Sequence, residues 1–349
     1  MMSFLQAVLL MMIDQINEQR TIASIFHLLK GKKSSQTIQD AKLYHLDKWF
    51  QTAPFLERKD FDQMIHELAA QQLIEIDEML HAKVTASGKD ILETIAADFP
   101  PLQYLHGWKL QDCANMFWKR LSLTVQVASH FIYQDSAYLP VTRDEQAQRW
   151  LKSFVAGRRL PKEQLAARLH RELFALLSEQ TAEDPLILVL RLSGKKRTGK
   201  TTAQASMLLH MESTEYWYRF LHVLHAAVQH IIQHAADFPL LFAMIEDIYE
   251  PVVLTQSTKK TAEMLGRGFT IEAITANRRL KRSTVEDHIV ELAFHYPNFS
   301  IRPFVSKEME EKVLQAAAVL SNKKIKPIKD QLPDVSYFQI RLVLAKYSR

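Results

Sequence analysis

The chain has 349 residues, with 44 Lys and Arg against 39 Asp and Glu, 8 Gly and 1 Cys. That length allows two or three domains around a sizeable core, scarce Gly beside abundant Leu, Ala, Gln, His and Met favours helix, and a lone cysteine excludes an internal disulfide framework. The formal charge of +5 is uneven: residues 255–349 hold 17 Lys and Arg against 10 Asp and Glu, a net of +7, which suits a polyanionic partner there.

In chain order, residues 4–13 are apolar but span about half of the ~20 residues a bilayer requires. No Lys or Arg precedes them, the first being Arg20, so they predict a cytosolic helix and no membrane segment. Residues 16–29 read as a helix stopped by Gly31-Lys32-Lys33, and 34–41 as a short second one. Asp60 is placed to cap a third helix over 61–71, with Met64, Ile65 and Leu68 on its apolar face. Residues 73–77 and 82–85 alternate with period two as a small hairpin closed by Ser87-Gly88, and a helix follows from Lys89. Helices, hairpin and helix in that order predict a winged helix.

Pro100-Pro101 marks a boundary, after which 108–127, 143–155 and 161–179 read as helices. Arg168, Arg171 and Glu172 are expected on a solvated face. Residues 194–201, GKKRTGKT, match the phosphate-binding pattern G-x-x-x-x-G-K-T in full. The apolar 186–192 before them and 238–247 after them could be strands, the latter ending in acids. A phosphate-loop domain needs several parallel strands alternating with helices, however, and residues beyond Thr201 read as helix. Thr201 and Gln204 form a T-x-x-Q capping box, His210-Met211-Glu212 a turn, and Ser213 the cap of a long helix with Trp217, Phe220, Leu224, Val228 and Ile231 on one face. His230 and His234 stand at i, i+4, but no acid or cysteine joins them at ligand spacing, so no metal is expected. No catalytic constellation appears, Cys113 reads as apolar filler, and neither a catalytic residue nor a cofactor is expected.

Residues 268–293, GFTIEAITANRRLKRSTVEDHIVELA, are organised as a helix-turn-helix. Thr270 caps a first helix through Asn277, and Ser283 with Glu286 would form a capping box opening the second. Val285, Ile289 and Leu292 point inward, leaving Glu286, Asp287 and Glu291 on the exposed face. The cations Arg278, Arg279, Lys281 and Arg282 precede that helix, which suits phosphate contacts better than base reading. Thr284 and His288 are the candidate DNA contacts on the helix, His288 being best placed to meet a base. Further on, 307–321 reads as a helix, and Lys323, Lys324, Lys326 and Lys329 form a second phosphate-binding candidate beside Pro327. Ser336 and Gln339 form a capping box opening a last helix with Ile340, Val343, Leu344 and Tyr347 inward, Arg341 and Lys346 outward.

The "S-T-V-E-D-H" opening and the "K-P-I-K … S-Y-F-Q-I-R" ending resemble the helicase-associated helix-turn-helix module at the C-terminus of many RecQ-type helicases. Over its full length, through HLLKGKKSSQTIQDA (27–41) and RLSGKKRTGKTTAQA (191–205), the chain resembles the stand-alone YpbB-type proteins of Gram-positive bacteria. That resemblance implies a partner, a RecQ-family DNA helicase lacking its own accessory module, and a place in DNA repair and recombination. The expectation is therefore a mostly α, multi-module helix-turn-helix and winged-helix protein with one small β-hairpin. Its modules are residues 1–97, winged-helix-like; 98–250, all-helical; and 251–349, the helicase-associated helix-turn-helix. It would be a non-enzymatic, cytoplasmic, nucleoid-associated protein holding DNA by its phosphate backbone. The alternatives are a P-loop NTPase using Gly194 to Thr201 and a helix-turn-helix transcription regulator.

Overall fold

The computed structural model describes residues 2–135, 137–157, 161–179, 183–320 and 325–347. Its elements are, in chain order, α1 (Phe4–Ile16), α2 (Ile22–Lys30), α3 (Ser35–Leu43), α4 (Arg58–Ala70), β1 (Ile74–Ile76), β2 (Ala82–Val84), α5 (Ala86–Asp98), α6 (Gly107–Ile132), α7 (Glu145–Gly157) and α8 (Lys162–Glu179). There follow α9 (Leu186–Val189), α10 (Thr202–Leu208), α11 (Ser213–Gln233), α12 (Pro239–Phe242), α13 (Gln256–Gly266), α14 (Ile271–Arg278), α15 (Arg282–His295), α16 (Lys307–Leu320), α17 (Ile325–Gln331) and α18 (Tyr337–Tyr347). The protein is mostly α, with one two-stranded antiparallel sheet among the described residues. Two units result: residues 1–5 with 98–250, and residues 6–97 with 251–349.

In the first unit α6 is the central helix, packed by α7, α8 and α11. Phe117, Leu121, Tyr216, Phe220, Leu224 and Leu241 fill the space between them. The stretch 186–192 opens as helix α9, and 238–247 is α12 followed by turns, so neither apolar run is a strand. Glu172 is not solvated: it is buried and accepts the N–H groups of Leu240 (2.8 Å) and Leu241 (3.0 Å). The Thr201–Gln204 capping box forms in both directions, and α11 starts after Glu212, without a side-chain cap from Ser213. Burial pushes the Cys113 thiol up to about 12, which makes it a poor nucleophile.

In the second unit the helix expected over 16–29 is broken. Asn17 and Glu18 take left-handed φ values of 43° and 59°, ending α1, and Thr21 then bridges to His81 beside the hairpin. Periodicity alone missed this because both flanking helices keep apolar residues at helical spacing. Gly31, at φ 76°, ends α2, and Ser34 caps α3 by accepting the Thr37 N–H at 3.3 Å. The third helix starts at Arg58, earlier than an Asp60 cap would allow. In the hairpin, Ile74 pairs with Val84 and Ile76 with Ala82, turning Ile74, Ala82 and Val84 inward. Ser87 and Gly88, expected to close the hairpin, lie inside α5. Helix α3 packs against both α15 and α18, so the two ends of the sequence share this unit. Arg20 secures α3 from beneath, its Nε 2.7 Å from the buried Asp40 carboxylate and its guanidinium over the Tyr44 ring.

Candidate nucleic-acid interface

Helix α14 is capped as its sequence requires: the Thr270 hydroxyl accepts the Ala273 N–H at 3.2 Å. It ends at Arg279, whose φ of 52° is left-handed, a conformation costing a non-glycine residue about 1 kcal/mol. The next helix, α15, starts at Arg282, one residue before the expected capping serine. Lys281 occupies its N-cap position without a side-chain bond, and the Ser283–Glu286 box does not form. The reason is local: Glu286 is held by Arg282 one turn away (2.9 Å), and Arg282 also pairs with Glu272. These three groups stand at the rim of a cavity of about 860 Å³ walled by Phe269, Phe299, Phe304 and Phe338.

The face of α15 is not the acidic, exposed surface the spacing predicted. Helices α3, α13, α14 and α18 all pack on α15. Glu291 is buried and accepts three hydrogen bonds, from the Thr255 N–H (2.7 Å), the Thr255 hydroxyl (3.0 Å) and the Thr258 hydroxyl (2.6 Å). It thereby anchors the first turn of α13. Asp287 pairs with Arg341. His288, expected to meet a base, is buried with its Nδ1 2.8 Å from the Thr261 hydroxyl. Burial, with the Arg278 charge beside it, lowers its pKa to about 4. A neutral imidazole sealed against α13 has no route to a base edge.

The expected cations divide in the same way. Arg278 is tied inward, donating to the Ser257 carbonyl and hydroxyl (both 2.9 Å) and to Thr261. Arg282 is held by its two glutamates, and the Lys329 ammonium by the carbonyls of Pro333 (2.6 Å) and Val335 (2.9 Å). Arg279, Lys281 and Lys326 are exposed, and Thr284 is half-buried in the first turn of α15. Lys323 and Lys324 lie outside the described residues. Lys260 on α13 and Arg267 at its end are exposed too, and the sequence pattern did not single them out because both precede the helix-turn-helix signature of residues 268–293. In the last helix Ser336 and Gln339 close their box as expected, but Tyr347, expected inward, is exposed, and Lys346, expected outward, is bound by the carbonyls of Pro297 and Phe299 at the helix end.

The phosphate-loop match can be tested on its own hydrogen bonds. Such a loop holds an anion with unpaired backbone N–H groups. Here six of the eight from Gly194 to Thr201 are already used. Gly194 and Arg197 bond each other's carbonyls, and Lys195 reaches the Ser129 hydroxyl. Gly199 reaches the Ser193 hydroxyl, Lys200 the Leu190 carbonyl and Thr201 the Gln204 side chain. Gly199 is needed because a Cβ there would stand 2.2 Å from the Arg191 carbonyl oxygen. Asp247, which would face magnesium in a nucleotide site, is instead paired with the buried Arg120. Isothermal titration with Mg·ATP is expected to give no one-site binding at micromolar concentrations; a stoichiometric isotherm lost in Lys200→Ala would refute this.

His230 and His234 face acids, not each other's metal: His230 Nε2 lies 2.9 Å from Glu179, and His234 stands beside Asp237. Among the described residues no group of three or more His, Cys, Asp or Glu could hold a metal ion, and no helix is long and apolar enough to cross a membrane.

A helix-turn-helix domain family matches residues 257–344, from the second residue of α13 into α18. No solved structure matches the chain. Protein YpbB of Bacillus subtilis (strain 168) is 36% identical over 336 residues, which is 95% of this chain and 94% of that protein. An identity at that level across nearly the whole of both chains places this chain in the YpbB family.

Proposed function

We propose that the chain is a non-catalytic DNA-binding accessory protein that works with a RecQ-family helicase in repair and recombination. The observation that carries DNA binding is the turn before α15, where Arg279 and Lys281 are exposed while most of the helix behind them is covered. Cations presented ahead of a covered helix touch phosphates and do not read bases. The covered face of α15 correspondingly gives little support to a sequence-reading regulator. The helicase partnership is supported by the resemblance of the C-terminal module to the accessory module of RecQ-type helicases.

The test uses Arg279→Gly with Lys281→Ala. Glycine removes the Arg279 cation and accepts the left-handed φ without strain, so binding is separated from stability. Two lost phosphate contacts are expected to flatten the log–log salt dependence on duplex DNA by about 1.8 units, equally for unrelated sequences. Fluorescence anisotropy against salt on two sequences checks it; an unchanged slope sinks the proposed contact. Co-purification of a RecQ-type helicase with the full chain from its native cell tests the partnership separately.

A further inference from the structure

The 191–200 loop, RLSGKKRTGK, has five cations and no acid. Asp135 pairs with Lys195, which leaves the loop and this neighbour at +4. The backbone bonds that disqualify it as a nucleotide cradle also fix its course, since six of the N–H groups from Gly194 to Thr201 are bonded within the protein. Lys195, Lys196, Arg197 and Lys200 are all exposed. Arg191, half-buried, is fixed over the Phe220 ring and donates to the Thr202 hydroxyl at 3.0 Å. Beside the loop, at the end of α6, Tyr133 is 46% exposed, with the Lys196 ammonium 4.8 Å from its ring centroid.

A loop of fixed course with unneutralised cations next to an exposed aromatic ring has the components of a site for single-stranded nucleic acid. Cations follow the backbone while the ring stacks on an unpaired base, whose faces a duplex would keep hidden. We infer that this loop is a second DNA site, in which Lys196, Arg197 and Lys200 hold the phosphates of a single strand and Tyr133 stacks on one base. It belongs to the unit of residues 98–250 and is separate from the helix-turn-helix. The choice of DNA as the polyanion rests on the proposed function; the site's geometry does not.

The test measures anisotropy of the full chain with labelled dT20 and a 20-base-pair duplex across a salt series. Arg197→Ala with Lys200→Ala is expected to flatten the dT20 slope by about 1.4 units, because each phosphate contact on a single strand contributes about 0.7. Tyr133→Ala is expected to weaken dT20 on the order of tenfold at every salt without changing the slope. The charge-preserving pair Arg197→Lys with Lys200→Arg should keep the wild-type slope, and all variants should melt at the wild-type temperature. An unchanged dT20 slope in the double alanine variant overturns the inference, as does a loss confined to the duplex. Displacement of dT20 by stoichiometric Mg·ATP would make the loop a nucleotide site and overturn it too. If instead Arg279→Gly with Lys281→Ala leaves binding intact while the loop variant loses it, the helix-turn-helix reading fails and the loop site stands.

Discussion

Glu291→Ala is expected to destabilise the unit of residues 6–97 and 251–349 by about 3 kcal/mol, the largest effect of any single carboxylate there. The carboxylate accepts from one backbone N–H and two threonine hydroxyls at 2.6–3.0 Å, and Thr258 is fully buried. Alanine would leave the Thr258 hydroxyl without its acceptor in a place water does not reach and would strip the Thr255 N–H of its partner, which costs more than the bonds themselves contribute. Glu291→Gln keeps the shape and one acceptor oxygen, and should lose about half as much. For a unit of this size 3 kcal/mol corresponds to a melting shift of roughly 6–12 °C. A shift under about 2 °C in Glu291→Ala by calorimetry would show that α13 does not depend on this anchor.

Asp247→Ala is expected to cost about 2 kcal/mol, more than Arg120→Met, although it removes the smaller and more exposed side chain. Arg120 is 1% exposed and donates to Asp247 (2.8 Å) and to the Met244 carbonyl (2.9 Å), with Trp150 against its guanidinium at 4.6 Å. Removing the aspartate leaves a buried cation with no counter-charge. Removing the arginine leaves a carboxylate already 54% exposed, which water can solvate. That exposure also keeps the cost below the 3–5 kcal/mol of a fully buried pair. The Arg120 hydrogen bond holds the Asp247 carboxyl below the usual range. Its contribution is therefore complete above about pH 4 and fades as pH falls through the depressed value. Urea midpoints of wild type and Asp247→Ala should differ at pH 7 and converge in acid. A larger loss in Arg120→Met than in Asp247→Ala would show that the packing of Arg120, not its charge balance, dominates.

How far the sequence could be read depends on how far apart interacting residues lie. The boxes at Thr201–Gln204 and Ser336–Gln339 and the Thr270 cap were legible because both partners sit within one turn. The hairpin was legible because alternation at Ile74–Ile76 and Ala82–Val84 shows in the residues themselves. Glu291 and His288 were misplaced because what holds them, Thr255, Thr258 and Thr261, comes about thirty residues earlier and turns polar groups into buried ones. Pattern alone sees two polar residues on a helix and sends them to solvent. The start of α15 was misjudged for a smaller reason, a competing salt bridge from Arg282 to the glutamate of the expected box. Nothing local announced that α3 packs on α15 and α18, since some 250 residues separate them.

That last arrangement governs how the chain is made on the ribosome. Residues 6–97 emerge first, yet the helices that cover α3 are encoded after residue 251. At roughly 5–20 residues per second, translating the intervening ~150 residues takes about 8–30 s. During that interval α3, whose Ile38, Ala41 and Leu43 are all buried in the finished fold, has α2 beside it but lacks α15 and α18. The other unit, residues 1–5 with 98–250, has every residue it needs once residue 250 is translated and can fold while residues 6–97 still wait. Transcripts truncated within the last hundred codons are thus expected to yield products with a protease-resistant core from residues 98–250 and a readily digested N-terminal segment.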